Sequence, residues 1–424
     1  MDQRLKDLED WIKEKLGLDQ YYLKRSSISR KLNTYQQTKY IYCMEWFPVN
    51  IAEHVEDEDL NPEGTASVEV DIHTKKIESL IFVGKTSFAN IRFEPHTENI
   101  IDWVEKETGI NHDQYRLSKQ DDNNWQLKAS INNISVFPSG QIDVNLNEEG
   151  QLLLFSVFGD FPKRDSVKQE VFNLSKENIQ DIAYNQLHLI EFPDFQKEKI
   201  QQVYGMEEIF IVNKNRATLS YDIGVPEGLQ SRMDHLLRWD SGLDGVINRQ
   251  PVFVDRQVSA EVAYANEPSP DAKPITEEEK GKCIDVVETF MRIEYADDSG
   301  QWLLDHLYRD MEMIQAVLRP VKEDKKILRK KLVIMICRET YEVLNYIDTT
   351  GFSAFDMIGK FDPKGVREIE KSEAFERIKA YFEVKPYYVY DYEEKEYLLC
   401  GMLDCDYYVH AETGEVGLLD DLHC

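Results

Sequence analysis

LEDWIKEKLGLDQYYL (residues 8–23) returns about ninety positions later as IIDWVEKETGINHDQYRL (100–117). Asp10-Trp11 matches Asp102-Trp103, Gly17-Leu18 matches Gly109-Ile110, and Tyr21 matches Tyr115 after a two-residue insertion. In each copy the apolar residues fall at i, i+3, i+4 and i+7, the spacing of an amphipathic helix, and a glycine stands where a left-handed residue closes such a helix. A unit used twice is read first as repeat architecture.

Downstream of each helix a second pattern recurs. VEVDIHTKKIESLIFVG (68–84) and IDVNLNEEGQLLLFSVFG (142–159) both read as strand, polar turn, strand. VFVDRQVSAEVAYA (252–265), VIMICRETYEVLNYID (333–348) and YYVHAETGEVGLLD (407–420) end in the same way. Helical patterns precede them at 174–192 with Ser175 as N-cap, at 275–293 where Thr276 and Glu279 have capping-box spacing, and at 370–384 with Ser372 as cap. In the last of these, Ala374, Phe375, Ile378 and Phe382 line one face.

At 424 residues the chain exceeds one domain, on a scale of about 100–200 residues each. Turn-rich or proline-rich breaks at 158–170, 264–274 and 359–368 divide it. The expectation is an α+β fold: a tandem array of about five small modules, each a helix packed on an antiparallel sheet. The modules span 1–90, 91–165, 166–268 with an insertion at 224–249, 269–362 with an insertion at 294–330, and 363–424.

Helix, then strands, ending in Tyr408-Val409-His410-Ala411-Glu412-Thr413-Gly414-Glu415-Val416, resembles the PepSY-like modules of the YcdB/YcdC-type repeat proteins of Bacillus-like bacteria. Glu373-Ala374 through Tyr381-Phe382 and the strand YYVYDY (387–392) carry the same likeness, which covers about the last sixty residues. Where such modules usually show Asp before Ala, this chain has His410. The resemblance implies small cystatin-like modules that bind proteins, peptidases among them, and it implies no enzyme.

Charge narrows the partners. The 79 acidic residues outnumber 50 basic ones, for a net −29. Such a surface repels phosphate backbones and anionic lipid, so nucleic acid and membrane are excluded and a basic protein is favoured. MDQRLKDLEDWIKEKLG (1–17) lacks the apolar core of an export signal, and LVIMIC (332–337), the longest apolar run, fits a buried strand. A cytoplasmic location is expected, with the six cysteines (43, 283, 337, 400, 405, 424) as reduced core thiols.

Candidate chemistry is sparse. A calcium loop begun at Asp57 would place Asp59 and Asn61 well, but Pro62 and Val68 occupy the positions that need Gly and Glu. The same test fails at EYADDSGQW (294–302), where a loop begun at Asp297 meets Trp302. Cys400, Cys405, His410, His423 and Cys424 lack the paired short spacings of structural zinc. His306, beside Asp305, reads as a helix-surface residue, and the GxSxG, HExxH, CxxC and P-loop signatures are absent. No catalytic, cofactor or metal residue is therefore assigned. Trp11 and Trp103 are read as packing onto a sheet, while Tyr387, Tyr388, Tyr390, Tyr407 and Tyr408 offer either an exposed aromatic patch or half-buried strand residues. The expected function is non-enzymatic binding of a protein partner, a peptidase being one form. The alternative is a hydrolase or small-ligand protein with its site in a cleft between modules.

Overall fold

The repeated stretch builds a helix-to-strand joint. In the computed structural model, which describes residues 2–49, 61–163, 166–168, 170–194, 199–220, 230–252, 257–322, 331–349 and 368–422, α1 (Gln3–Leu16) ends on Gly17 at φ 63° and β1 (Tyr21–Leu32) opens on buried Tyr21. Gly17 donates its N–H to the free carbonyls of the last turn, the usual work of a left-handed cap. A Cβ there would also meet Asn90 at 2.7 Å, so only glycine fits.

After β1 come β2 (Thr38–Pro48), β3 (Ala66–Asp71) and β4 (Ile77–Phe82). α2 (Thr97–Thr108) closes on Gly109 at φ 70°, and the strands β5 (Tyr115–Asp121), β6 (Asn124–Ile131), β7 (Ile134–Phe137), β8 (Gln141–Leu146) and β9 (Leu152–Phe158) succeed it. Then come α3 (Gln180–Gln186), β10 (Leu187–Asp194), β11 (Lys199–Met206), β12 (Ile209–Val212), β13 (Thr218–Ser220) and β14 (Gln230–Leu236). α4 (Ala260–Tyr264) and α5 (Glu277–Glu294) precede β15 (Trp302–Asp310), β16 (Met313–Pro320), β17 (Leu332–Cys337) and β18 (Val343–Asp348). The chain closes with α6 (Lys371–Ile378), β19 (Glu383–Asp391), β20 (Glu396–Asp404), β21 (Tyr407–His410) and β22 (Val416–Leu418).

This corrects the expected array. Among the described residues strands take 42% and helices 21%, and the strands form large shared sheets in place of five separate helix-on-sheet modules. The chain divides into two compact units: Met1–Val167 with Val254–Ala272 and Glu394–Tyr397, and the remainder. In the first unit β4 pairs antiparallel with β9 through Ser79↔Ser156, Leu80↔Phe155 and Ile81↔Leu154, so the two most alike repeats share one sheet. Two edges that would otherwise expose their main chain satisfy each other. Trp103 packs on Phe93 and on Phe155 of β9, whereas Trp11 lies half-buried under the Lys15 ammonium.

In the second unit β11 pairs with β21, and β12 pairs with β20 as well as β13. Segments far apart in sequence thus bury one core, in which Leu174, Ile179 and Leu187 meet Ala374, Phe375, Ile378 and Phe382. Gly401 is required there because a Cβ would sit 2.6 Å from Val384 and 2.9 Å from Leu174. A second core in this unit lies between α5 and the antiparallel sheet β14-β15-β16-β17-β18, built on Cys283, Val287, Phe290, Leu304, Leu307 and Ile334.

Local readings fare unevenly. Thr276 and Glu279 do form a capping box at the start of α5, and LVIMIC is β17. Over 174–192 the helix is only α3, because LHLIEF turns into β10, and Ser175 does not cap it. Ser372 lies inside α6, whose N-cap is Glu370. The hairpin expected at 252–265 is replaced, within its described part, by α4. The third hairpin instead joins β12 and β13. Among the described residues no helix is long and apolar enough to cross a membrane.

A candidate binding cleft beside α5

Among the described residues four hairpins close by one turn. At Asp71, Val212, Cys337 and His410 the residue donates its N–H to the carbonyl five residues on and accepts from the N–H four residues on. That fourth residue must be left-handed: Lys75 (φ 55°), Arg216 (φ 59°), Tyr341 (φ 58°) and Gly414 (φ 70°). A bulky aromatic is the least expected of these, since its Cβ crowds the backbone there. Three openings also offer an acceptor side chain to the turn. The Asp71 carboxylate takes the N–H groups of His73 and Thr74, and His410 Nδ1 takes those of Glu412 and Thr413. At Cys337 the Thr340 hydroxyl and the N–H groups of Thr340 and Glu339 lie beside the sulfur. The Thr340 hydroxyl chiefly, helped by those N–H groups, lowers its pKa against the smaller effect of burial.

Tyr341 faces a cleft of about 470 Å³. Val286 and Phe290 of α5, Val343 of β18 and Ile247 line it with Tyr341, while Asp285, Thr289 and Glu342 bring polar groups. Its other wall is the irregular strap 241–250. At one end of the strap the Leu243 N–H donates to the Arg292 carbonyl and Arg292 Nε donates to the Ser241 carbonyl. At the other, the Gln250 N–H donates to the Leu344 carbonyl and Arg249 donates to Asn345 Oδ1 and to the Tyr346 carbonyl. Gly242 and Gly245 let the strap run against Ala296 and Ile293 of this region. Val246 is left 81% exposed.

The electrostatics of the lining are one-sided. Asp285 and Glu342 are exposed carboxylates, and among the described residues no lysine, arginine or histidine lines the cleft. Among the described residues the Glu342 carboxylate accepts only the Thr340 hydroxyl, at 3.4 Å, and the Asp285 carboxylate has no ion-pair partner. Outside the lining, the Lys282 ammonium lies 4.7 Å from the Tyr341 ring centroid and 2.8 Å from Glu278. The Thr289 hydroxyl is spent on the Asp285 carbonyl at 2.8 Å. The cleft can hold a cation or an apolar stem; among the described residues its lining presents no activated nucleophile.

The other candidates sit elsewhere. Asp57 and Asp59 lie outside the described residues, as do His423 and Cys424. Asn61 bridges Arg25 and Glu45 by hydrogen bonds of 3.1 and 3.0 Å. Trp302 is buried, with its indole N–H on Asp298. Cys283, Cys400 and Cys405 are buried free thiols, and burial pushes Cys283 up to about 11 and Cys400 up to about 12. Among the described residues no three His, Cys, Asp or Glu side chains converge as a metal site would require. His306 is on strand β15, not on a helix, beside a bulge between Leu304 and His306. Its Nδ1 lies 2.8 Å from Asp305, whose other oxygen takes Arg319 Nε at 2.6 Å. No hydroxyl or thiol is hydrogen-bonded to the imidazole among the described residues, so the pair lacks a nucleophile. The tyrosines do not form one patch: Tyr388 is buried, Tyr387 meets Phe210, Tyr390 meets Tyr392, and Tyr407 packs tilted against Tyr381.

Sequence reading missed the cleft, although GLDGVINRQ (242–250) held a signal in two glycines followed at once by the apolar pair Val246-Ile247. No protein-family profile, curated protein or solved structure matches the chain.

Proposed function

We propose that this chain acts by binding a protein partner of basic character, and that the cleft beside α5 is where recognition is concentrated. The observation that carries this is the lining itself: an apolar floor with two uncompensated carboxylates and, among the described residues, no nucleophile or base poised for reaction. A net charge of −29 adds long-range attraction for a basic partner and raises the encounter rate. The likeness of the last hairpin to PepSY-like modules supports the same reading, with restraint of a peptidase as one form of it. We place the chain in the cytoplasm, where its thiols stay reduced.

Affinity capture from the source lysate tests this. Wild type should enrich a basic protein that leaves at raised salt, while a chain with Asp285→Lys and Glu342→Lys should lose it. Recovery of nothing above background, at low salt and with wild type, counts against the reading.

A further inference from the structure

We infer that the cleft receives an extended basic segment of the partner, inserting one lysine or arginine side chain whose stem lies over Tyr341 and Val286 and whose charge meets Asp285 and Glu342. The inference rests on the protein-binding reading and names the chemistry of the occupant.

Four observations converge. First, among the described residues the lining carries two carboxylates and no cation, so a positive charge is the complement. Second, the floor is apolar and aromatic, which suits an alkyl stem ending in a charge better than a free metal ion or a small anion. Third, the Tyr341 ring already attracts an ammonium: Lys282 Nζ stands 4.7 Å from its centroid. Tyr341 is held left-handed, where the matching hairpins place Lys75, Arg216 and Gly414, and such strain collects at binding sites. Fourth, residues 244–248 of the strap make no hydrogen bond among the described residues, although both flanks are pinned. Their N–H and carbonyl groups are available to an extended main chain, as in strand addition.

The test is fluorescence polarisation of the full chain with a short labelled peptide alternating lysine and leucine, against its glutamate-for-lysine counterpart. Three variants are compared: Asp285→Lys with Glu342→Lys, Tyr341→Gly, and Glu393→Lys with Glu412→Lys as a control of equal charge change outside the cleft. Glycine accepts the left-handed backbone, so Tyr341→Gly keeps the turn while removing the ring. We expect the cleft pair to weaken the lysine peptide at least tenfold, Tyr341→Gly several-fold, and the control less than twofold. Equal losses in the cleft and control pairs, or equal binding of the glutamate peptide, overturn the inference. If the cleft variant still captures the cellular partner, the site assignment falls and the protein-binding reading stands. If wild type binds neither peptide nor partner, both fall.

Discussion

Glu279→Ala tests how α5, one wall of the cleft, is held at its start. The Glu279 carboxylate accepts the Thr276 N–H at 2.8 Å and the Thr276 hydroxyl at 2.9 Å, while Thr276 Oγ1 takes the Glu279 N–H at 3.3 Å. Its other oxygen takes Arg309 Nη2 of β15 at 2.6 Å, and the two side chains are only 17% and 9% exposed. Loss of the capping box costs about 1 kcal/mol. Leaving a largely buried guanidinium unpaired costs about 2 kcal/mol more, below the 3–5 kcal/mol of a fully buried pair because Arg309 retains the Lys273 carbonyl at 3.0 Å. The sum, about 3 kcal/mol, is roughly a hundredfold in the local opening equilibrium. Amide exchange read by mass spectrometry over 276–283 should accelerate by that factor. Thr276→Ala should give only about tenfold or less, and Arg309→Met combined with Glu279→Ala should recover much of the loss. The pH dependence has a definite sign. Burial raises the Glu279 pKa, but the hydrogen bonds from Arg309 and Thr276 outweigh it and hold the folded value below the ordinary 4.5. A depressed folded pKa means the stabilisation is present above the unfolded value and is lost as pH falls through the folded one. Wild-type protection, corrected for intrinsic exchange, should decline below the ordinary carboxylate range, and Glu279→Ala should lack that decline. A change under threefold in Glu279→Ala, or equality with Thr276→Ala, would refute the reasoning.

Other consequences are as direct. Iodoacetamide at mildly alkaline pH should label Cys337 well before Cys283 and Cys400, since its thiol is lowered and theirs are raised by burial; comparable rates for the three in peptide mapping would contradict this. His410→Asp should leave the β21–β22 turn intact by restoring the acceptor used at Asp71, whereas His410→Leu should cost about 1 kcal/mol in thermal unfolding. Gly401→Ala should destabilise by about 2 kcal/mol through its clash with Val384 and Leu174. Gly281→Ala, in α5 with open space around it, should stabilise by about 0.5–1 kcal/mol, and the same denaturant titration reads both.

How far the fold could be read depended on the range of the signal. The Gly17 and Gly109 caps, the Thr276–Glu279 box and the buried run of β17 are set by residues within a turn of one another, and all are where their sequence places them. Pairing of β4 with β9, β11 with β21, and β12 with β20 joins strands that no local pattern relates, so five modules were expected where shared sheets formed. His306 shows a subtler failure. The bulge between Leu304 and His306 turns both Leu304 and Leu307 into the core, and a three-residue apolar spacing in a strand then mimics a helix. The cleft escaped notice because its wall is an irregular strap, which has no period to detect.

The most direct measurement places a photo-crosslinking amino acid at Val246, exposed in the cleft lining, and separately at Val171, which is 77% exposed and not part of that lining. After irradiation in source lysate, the account predicts adducts to a basic protein at 246, joined through a peptide rich in lysine or arginine, and few at 171. Adducts at 171 alone, or none at 246 when capture succeeds, would contradict the assignment of recognition to this cleft.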